Sequence, residues 1–152
     1  MKIIVIYDSK TGNTEKMAKA IGEGVGAVAE VQIKKIGEAF PLTILAEVDG
    51  VIFGSPVYYA DISNNMKDFL EHIETYTKAN RKKINNIPAA VFGSYGYDGA
   101  WLMEEKLKDM IKGLGFITYD KVLVMVDSEI KYNFETEAKK CIEFGKKFAE
   151  SI

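Results

Sequence analysis

Ser9-Lys10-Thr11-Gly12-Asn13-Thr14 packs hydroxyls and a glycine between the apolar run Lys2-Ile3-Ile4-Val5-Ile6-Tyr7 and a stretch with helical spacing. A strand that ends in such a turn at a helix start makes a phosphate cradle. The first backbone N–H groups of the helix have no partner within it, and the helix dipole favours an anion there. Ser9, Thr11 and Thr14 add hydroxyls that rotate to meet phosphate oxygens, and Gly12 lets the backbone approach closely. The loop is not a nucleotide-triphosphate loop of the Walker type, which places a Lys after its second Gly. Here Asn13 follows Gly12. Neutral donors suit one phosphate held in a fixed place, as on a mononucleotide.

Two further segments hold side chains suited to a flat ligand. One is Ser55-Pro56-Val57-Tyr58-Tyr59-Ala60-Asp61-Ile62-Ser63, and the other is Ser94-Tyr95-Gly96-Tyr97-Asp98-Gly99-Ala100-Trp101. Both read as loops that join aromatics to small or acidic residues. Tyr58, Tyr59, Tyr95, Tyr97 and Trp101 gathered at one edge point to stacking, since an aromatic ring is otherwise best used in the core. A stacked ring contributes on the order of 1–3 kcal/mol in base–aromatic contacts.

Positioning these loops requires a framework, and the hydrophobic pattern supplies one. Five β-branched or aromatic runs predict strands at Lys2–Tyr7, Glu30–Lys35, Gly50–Gly54, Ala89–Gly93 and Val122–Val126. Amphipathic stretches lie between them. Met17, Ala18, Ile21 and Val25 line one helix; Ile62, Met66, Phe69, Leu70 and Ile73 line another; Met103, Leu107, Met110 and Leu114 line a third. A short helix near Leu42–Glu47 precedes the third strand. A last helix after Asn133 carries Phe134, Ala138, Cys141, Ile142, Gly145, Phe148 and Ile152 on one stripe. Alternation of strand and helix predicts an α/β three-layer sandwich with a five-stranded parallel sheet, order 2-1-3-4-5, and helices on both faces. Ligands bind such sheets beyond the carboxyl ends of the strands where the order reverses, between the first and third strands. All three chemical segments fall at that edge.

The 152 residues suit one domain spanning the whole chain, 1–152. A 47% hydrophobic and 28% charged composition is that of a globular protein. No apolar run is long enough to span a membrane, and the opening run does not read as a signal peptide. With Cys141 alone, no disulfide forms within one chain, so a cytoplasmic protein is expected. A net charge of −2 argues against a nucleic-acid partner.

At this point the residues resemble a known family. Ser9 through Thr14 is similar to the FMN-phosphate loop of flavodoxins, and Gly93-Ser94-Tyr95-Gly96-Tyr97 resembles the loop after the fourth strand in short-chain flavodoxins. Flavodoxins are themselves the type example of FMN at this switch point. The resemblance implies an FMN-binding carrier that shuttles low-potential electrons between redox partner proteins, acting as a monomer. It assigns the phosphate to Ser9, Lys10, Thr11, Gly12, Asn13 and Thr14. Tyr97 would stack on one face of the isoalloxazine, and Pro56, Val57, Tyr58 and Tyr59 would lie on the other side. Backbone groups of Tyr59, Ala60 and Asp61 would face the flavin N5, and those of Ser94, Tyr95, Gly96 and Tyr97, with Asp98 and Gly99 beside them, its pyrimidine edge.

Two departures qualify that expectation. Ala60 stands where many flavodoxins carry Gly, so strong stabilisation of a one-electron-reduced flavin is not expected. The chain is also nearly charge-balanced, although Asp8, Asp61, Asp98, Asp127 and Glu129 are expected to form an acidic rim at the flavin edge that steers basic partners. Lys78, Arg81, Lys82 and Lys83 fall at the opposite edge. The alternative is an FMN-dependent NAD(P)H reductase of quinones or flavins, because Gly54-Ser55-Pro56-Val57-Tyr58-Tyr59 and Met66-Lys67-Asp68-Phe69-Leu70 look as much like those enzymes. Other signals carry less. Gly22-Glu23-Gly24-Val25-Gly26-Ala27 fits a dinucleotide fingerprint but sits at a helix end, where its glycines read as C-caps. His72 reads as a surface residue, and Cys141 as a small core residue.

Overall fold

The computed structural model describes residues 1–58, 61–79, 84, 86–96 and 100–152, without the side chains of 100–104. The order is β1 (Lys2–Tyr7), α1 (Asn13–Gly26), β2 (Glu30–Lys35), a 3-10 turn (Leu42–Ala46), β3 (Gly50–Tyr58), β4 (Asp61–Ile62), α2 (Asn64–Ala79), β5 (Pro88–Tyr95), α3 (Ala100–Gly113), β6 (Ile117–Val126), α4 (Asp127–Tyr132) and α5 (Phe134–Glu150). The parallel strands run β2-β1-β3-β5-β6, which is the expected order, and β4 pairs antiparallel with β3 at its far end.

The period-two alternation of the strands sorts their side chains into two cores. Ile4, Ile6, Val51, Phe53 and Val91 meet Met66, Leu70 and Ile73 of α2 and Leu107 and Ile111 of α3. Ile3, Val5, Ile52 and Phe92 meet Met17 and Ile21 of α1 and Cys141 and Phe148 of α5. β1, β3 and β5 are covered on both faces and are predominantly apolar for that reason. Each large side chain fully removed from water here stabilises the fold by about 1.5–3 kcal/mol.

Several boundaries differ from expectation, each for a physical reason. β3 continues past Gly54 to Tyr58 and β5 reaches Tyr95, because the register carries on through Pro56↔Ser94 and Val57↔Tyr95. β1 ends opposite Gly54, so Pro56 meets no β1 partner that would need its missing N–H. Ile62 belongs to β4, not to a helix, since Ser63 and Asn64 start α2 after it. Asp127–Tyr132 forms α4, which the acidic sequence Asp127-Ser128-Glu129 did not announce. Ile152 lies beyond α5 and is exposed.

The glycines Gly22, Gly24 and Gly26 are not C-caps. They are helical residues of α1, and none has positive φ. Gly22 and Gly26 face Ile33 and Val31 of β2, whereas Gly24 serves the meeting of α1 and α5: a Cβ on Gly24 would stand 1.8 Å from the Ile142 carbonyl oxygen, and one on Gly145 would stand 2.1 Å from that of Ile21. The two helices approach backbone to backbone at reciprocal positions.

Cys141 is fully buried, its Sγ 3.7 Å from Met125 Sδ. Burial, with the Glu137 charge adding to it, pushes the thiol up to about 12. The unfolded thiol ionises near 8.5. Stability linked to this group is therefore complete below that pH and is lost as pH rises from there towards 12. At pH ~8, where a free thiol is partly ionised, a thiol-alkylating reagent is expected to leave the folded protein unlabelled and to label it in urea. Labelling of the folded chain at a comparable rate would contradict this burial.

Candidate functional site

The sheet opens where its order reverses. β1 stops at Tyr7 opposite Gly54, while β3 and β5 run on side by side. The segment leaving β1 therefore crosses the step that β3 leaves behind, anchored by the Asp8 N–H to the Gly54 carbonyl at 3.0 Å.

In that segment Ser9 Oγ accepts from the Gly12 N–H at 3.1 Å, curling the loop back on itself. Gly12 has φ 95°, a left-handed conformation that costs an L-residue roughly 1–2 kcal/mol. It stands immediately before α1, and no side chain caps that helix. The first N–H groups of α1 consequently remain without a helical acceptor and converge at the loop. Ser9 and Thr14 are buried and Lys10 and Thr11 exposed, with Gly12 and Asn13 between these extremes. Thr14 Oγ1 pairs with Ser94 Oγ at 2.8 Å, joining this loop to β5. Tyr7 donates to Glu15 at 2.8 Å, and burial together with that carboxylate raises its pKa far above the usual tyrosine range.

The wall beside the cradle is built by β3. Tyr58 is one of the few exposed large hydrophobics, at 37%, and Lys10 Nζ lies 5.6 Å from its ring centre. Burial, then the charges of Asp8 and Asp127, raise the Tyr58 pKa, so the neutral phenol is the form present at neutral pH. Asp8 is itself buried and accepts from Asn65 Nδ2 at 3.3 Å. Beneath Tyr58 a hydroxyl network fixes the start of α2. Ser55 Oγ accepts the Ser63 N–H at 3.0 Å, and Ser63 Oγ accepts the Met66 N–H at 3.1 Å, which is an N-cap.

The structure thus brings Ser9, Gly12, Asn13, Thr14, Ser94 and Tyr58 to one edge. Pro56 and Val57 are buried strand residues, with Val57 in the core, so they supply backbone there. Tyr95 ends β5 and packs against the core rather than standing free in a loop. Gly96 follows it, with the Asp127 carboxylate close by. Tyr59, Ala60, Tyr97, Asp98 and Gly99, and the side chain of Trp101, lie outside the described residues, as do Arg81, Lys82 and Lys83. His72 is exposed, as expected.

The expected acidic rim needs correction at Asp61. That carboxylate is paired with Lys67 of α2 and Lys106 of α3. Partial burial acts to raise its pKa, yet hydrogen bonds from the two lysines and from the Ile62 N–H hold it below the usual carboxylate range. Sequence reasoning missed Asn65, Lys67 and Lys106. Asn65 and Lys67 sit in the first turns of α2, where proximity to the third strand's end was a usable signal; Lys106 had none, because its position depends on how α3 packs.

A doubly wound sheet of this order, with a helix start opened at its switch point, defines a flavodoxin-like α/β protein. Residues 5–145 match the model of the flavodoxin family, and the chain belongs to that family. It is 31% identical over 150 residues to a flavodoxin of Clostridium beijerinckii, covering 95% of this chain and 97% of that protein. It is 44% identical over 72 residues to a flavodoxin of Clostridium saccharobutylicum, covering 47% of this chain and 45% of that protein. The chain therefore matches less than half the length of the second relative and nearly all of the first. A solved flavodoxin from the domain Archaea shares the fold with a TM-score of 0.82 at 28% identity, covering 99% of this chain and 98% of that one.

Proposed function

We propose that the chain binds FMN and carries electrons between larger redox proteins. The observation that carries this reading is the uncapped α1 start, with its left-handed Gly12 and open N–H groups, set beside the half-exposed Tyr58 ring. These residues fit a phosphate and a flat ring joined by a short chain. Ser9, Lys10, Thr11, Gly12, Asn13 and Thr14 would hold the phosphate. Tyr58 and its neighbour Tyr59 would cover one face of the ring and Tyr97 the other, with Ala60, Asp61, Asp98 and Gly99 bordering it. FMN when bound would supply the redox chemistry; the protein supplies stacking, orientation and electrostatics. Among the described residues no helix is long and apolar enough to cross a membrane, and a monomeric cytoplasmic protein fits the reading.

The test is an anaerobic addition of stoichiometric NADH or NADPH to the FMN-loaded chain, followed by visible absorbance. No reduction by either nicotinamide, with full bleaching by dithionite, is expected of a carrier. Rapid bleaching by a nicotinamide would replace the carrier with an FMN-dependent reductase. A chain that fails to retain FMN would overturn both.

A further inference from the structure

The Asp61 cluster has a charge balance that neither helix reveals alone. Asp61 opens β4 directly opposite Tyr58 in the β3–β4 register. Its carboxylate accepts from Lys67 Nζ on Oδ2, and on Oδ1 from the Ile62 N–H at 2.8 Å and Lys106 Nζ at 3.0 Å. Lys67 comes from the second turn of α2 and Lys106 from the middle of α3, so one carboxylate ties the β4 corner to both helices on that face of the sheet. Among the described residues neither lysine pairs with a second carboxylate. Two ammonium groups against one carboxylate leave one positive charge in excess at the corner that follows the proposed flavin wall. The side chains of Asp61 and Lys67 are 28% and 30% exposed and that of Lys106 is 50%, so water screens the inner Asp61–Lys67 pair less than it would a free surface lysine, and Lys106 more than that pair.

We propose that Asp61, Lys67 and Lys106 form a cationic corner that tunes the flavin site, favouring the negative charge that a flavin gains on reduction. Opposite charge nearby stabilises a charged form, and charge near a flavin sets how readily it accepts electrons. The inference rests on the FMN reading above. It reverses the sign expected of Asp61 from the sequence, where this residue counted towards an acidic rim. The three residues do not touch the reacting atoms; they are positioning and tuning residues.

The substitutions separate charge from architecture. Lys106→Gln leaves a neutral Asp61–Lys67 pair, Lys106→Arg keeps the cation, and Asp61→Asn adds net positive charge while retaining the Oδ1 acceptor for Ile62. Reduction potentials of the FMN-loaded full chain are read by dithionite titration against a reference dye, and flavin affinity by fluorescence. Lys106→Gln is expected to lower the potential, Asp61→Asn to raise it, and Lys106→Arg to leave it near wild type. Each displacement should match about a threefold change in the ratio of reduced to oxidised flavin affinity, the scale of one charge acting across partly wet protein, and should shrink at high salt. Shifts of Lys106→Gln and Asp61→Asn in the same direction would mean a loosened corner and overturn the proposal, as would no shift in either. A wild-type chain that shows no flavin binding by fluorescence removes the FMN reading first and this proposal with it. Flavin bound with no response to the charge changes overturns the proposal alone.

Discussion

Gly24→Ala is expected to destabilise the fold by about 3 kcal/mol, the upper range for overpacking, read as a lower midpoint in urea with an unchanged slope. The sign is the informative part. In an exposed helix the same change gains up to about 1 kcal/mol, because alanine is the better helix former. Here the new Cβ would stand 1.8 Å from the carbonyl oxygen of Ile142, a backbone atom that moves only if α5 moves. The two helices would have to separate, and Met17, Ile21, Cys141 and Phe148 would lose their close packing with them. Gly113→Ala, at the end of α3, is the internal control: a Cβ there meets nothing within 4 Å, and its effect should stay within about 1 kcal/mol. Equal midpoints for the two variants would show that the close approach of α1 and α5 is not what Gly24 serves.

Gly12→Ala is expected to act on ligand binding far more than on folding. A Cβ at Gly12 also meets nothing within 4 Å, so there is no clash, and the cost is the left-handed backbone at φ 95°. That amounts to roughly 1–2 kcal/mol. Relief of this strain would turn the loop away from the α1 start and remove the Gly12 N–H from Ser9 Oγ, scattering the donors that converge there. FMN affinity, followed by quenching of flavin fluorescence, should fall about tenfold to a hundredfold, the equivalent of losing one or two charge-assisted hydrogen bonds. An unchanged affinity would place the phosphate elsewhere.

The framework was legible because it rests on patterns that local chemistry dictates. Ile3 to Ile6 alternate between two covered faces, Met17, Ile21 and Val25 recur at helical spacing, and both patterns survive into the structure. The cradle was legible for the same reason: Gly12 and Ser9 act within one turn of chain. What was missed depends on contacts distant in sequence. Pro56 reads as a loop residue until β1 is seen to end opposite Gly54. Gly24 reads as part of a cap until α5 lies against it. Asp61 reads as an acidic rim residue until helices from two parts of the chain each bring a lysine to it.

The pair of Thr14 and Ser94 hydroxyls, buried and 2.8 Å apart, holds its oxygens fixed while leaving the direction of donation open. One proton lies between the two oxygens, and the other hydroxyl proton is offered elsewhere. One shared proton thereby joins the first turn of α1 to the end of β5 across 80 residues of chain.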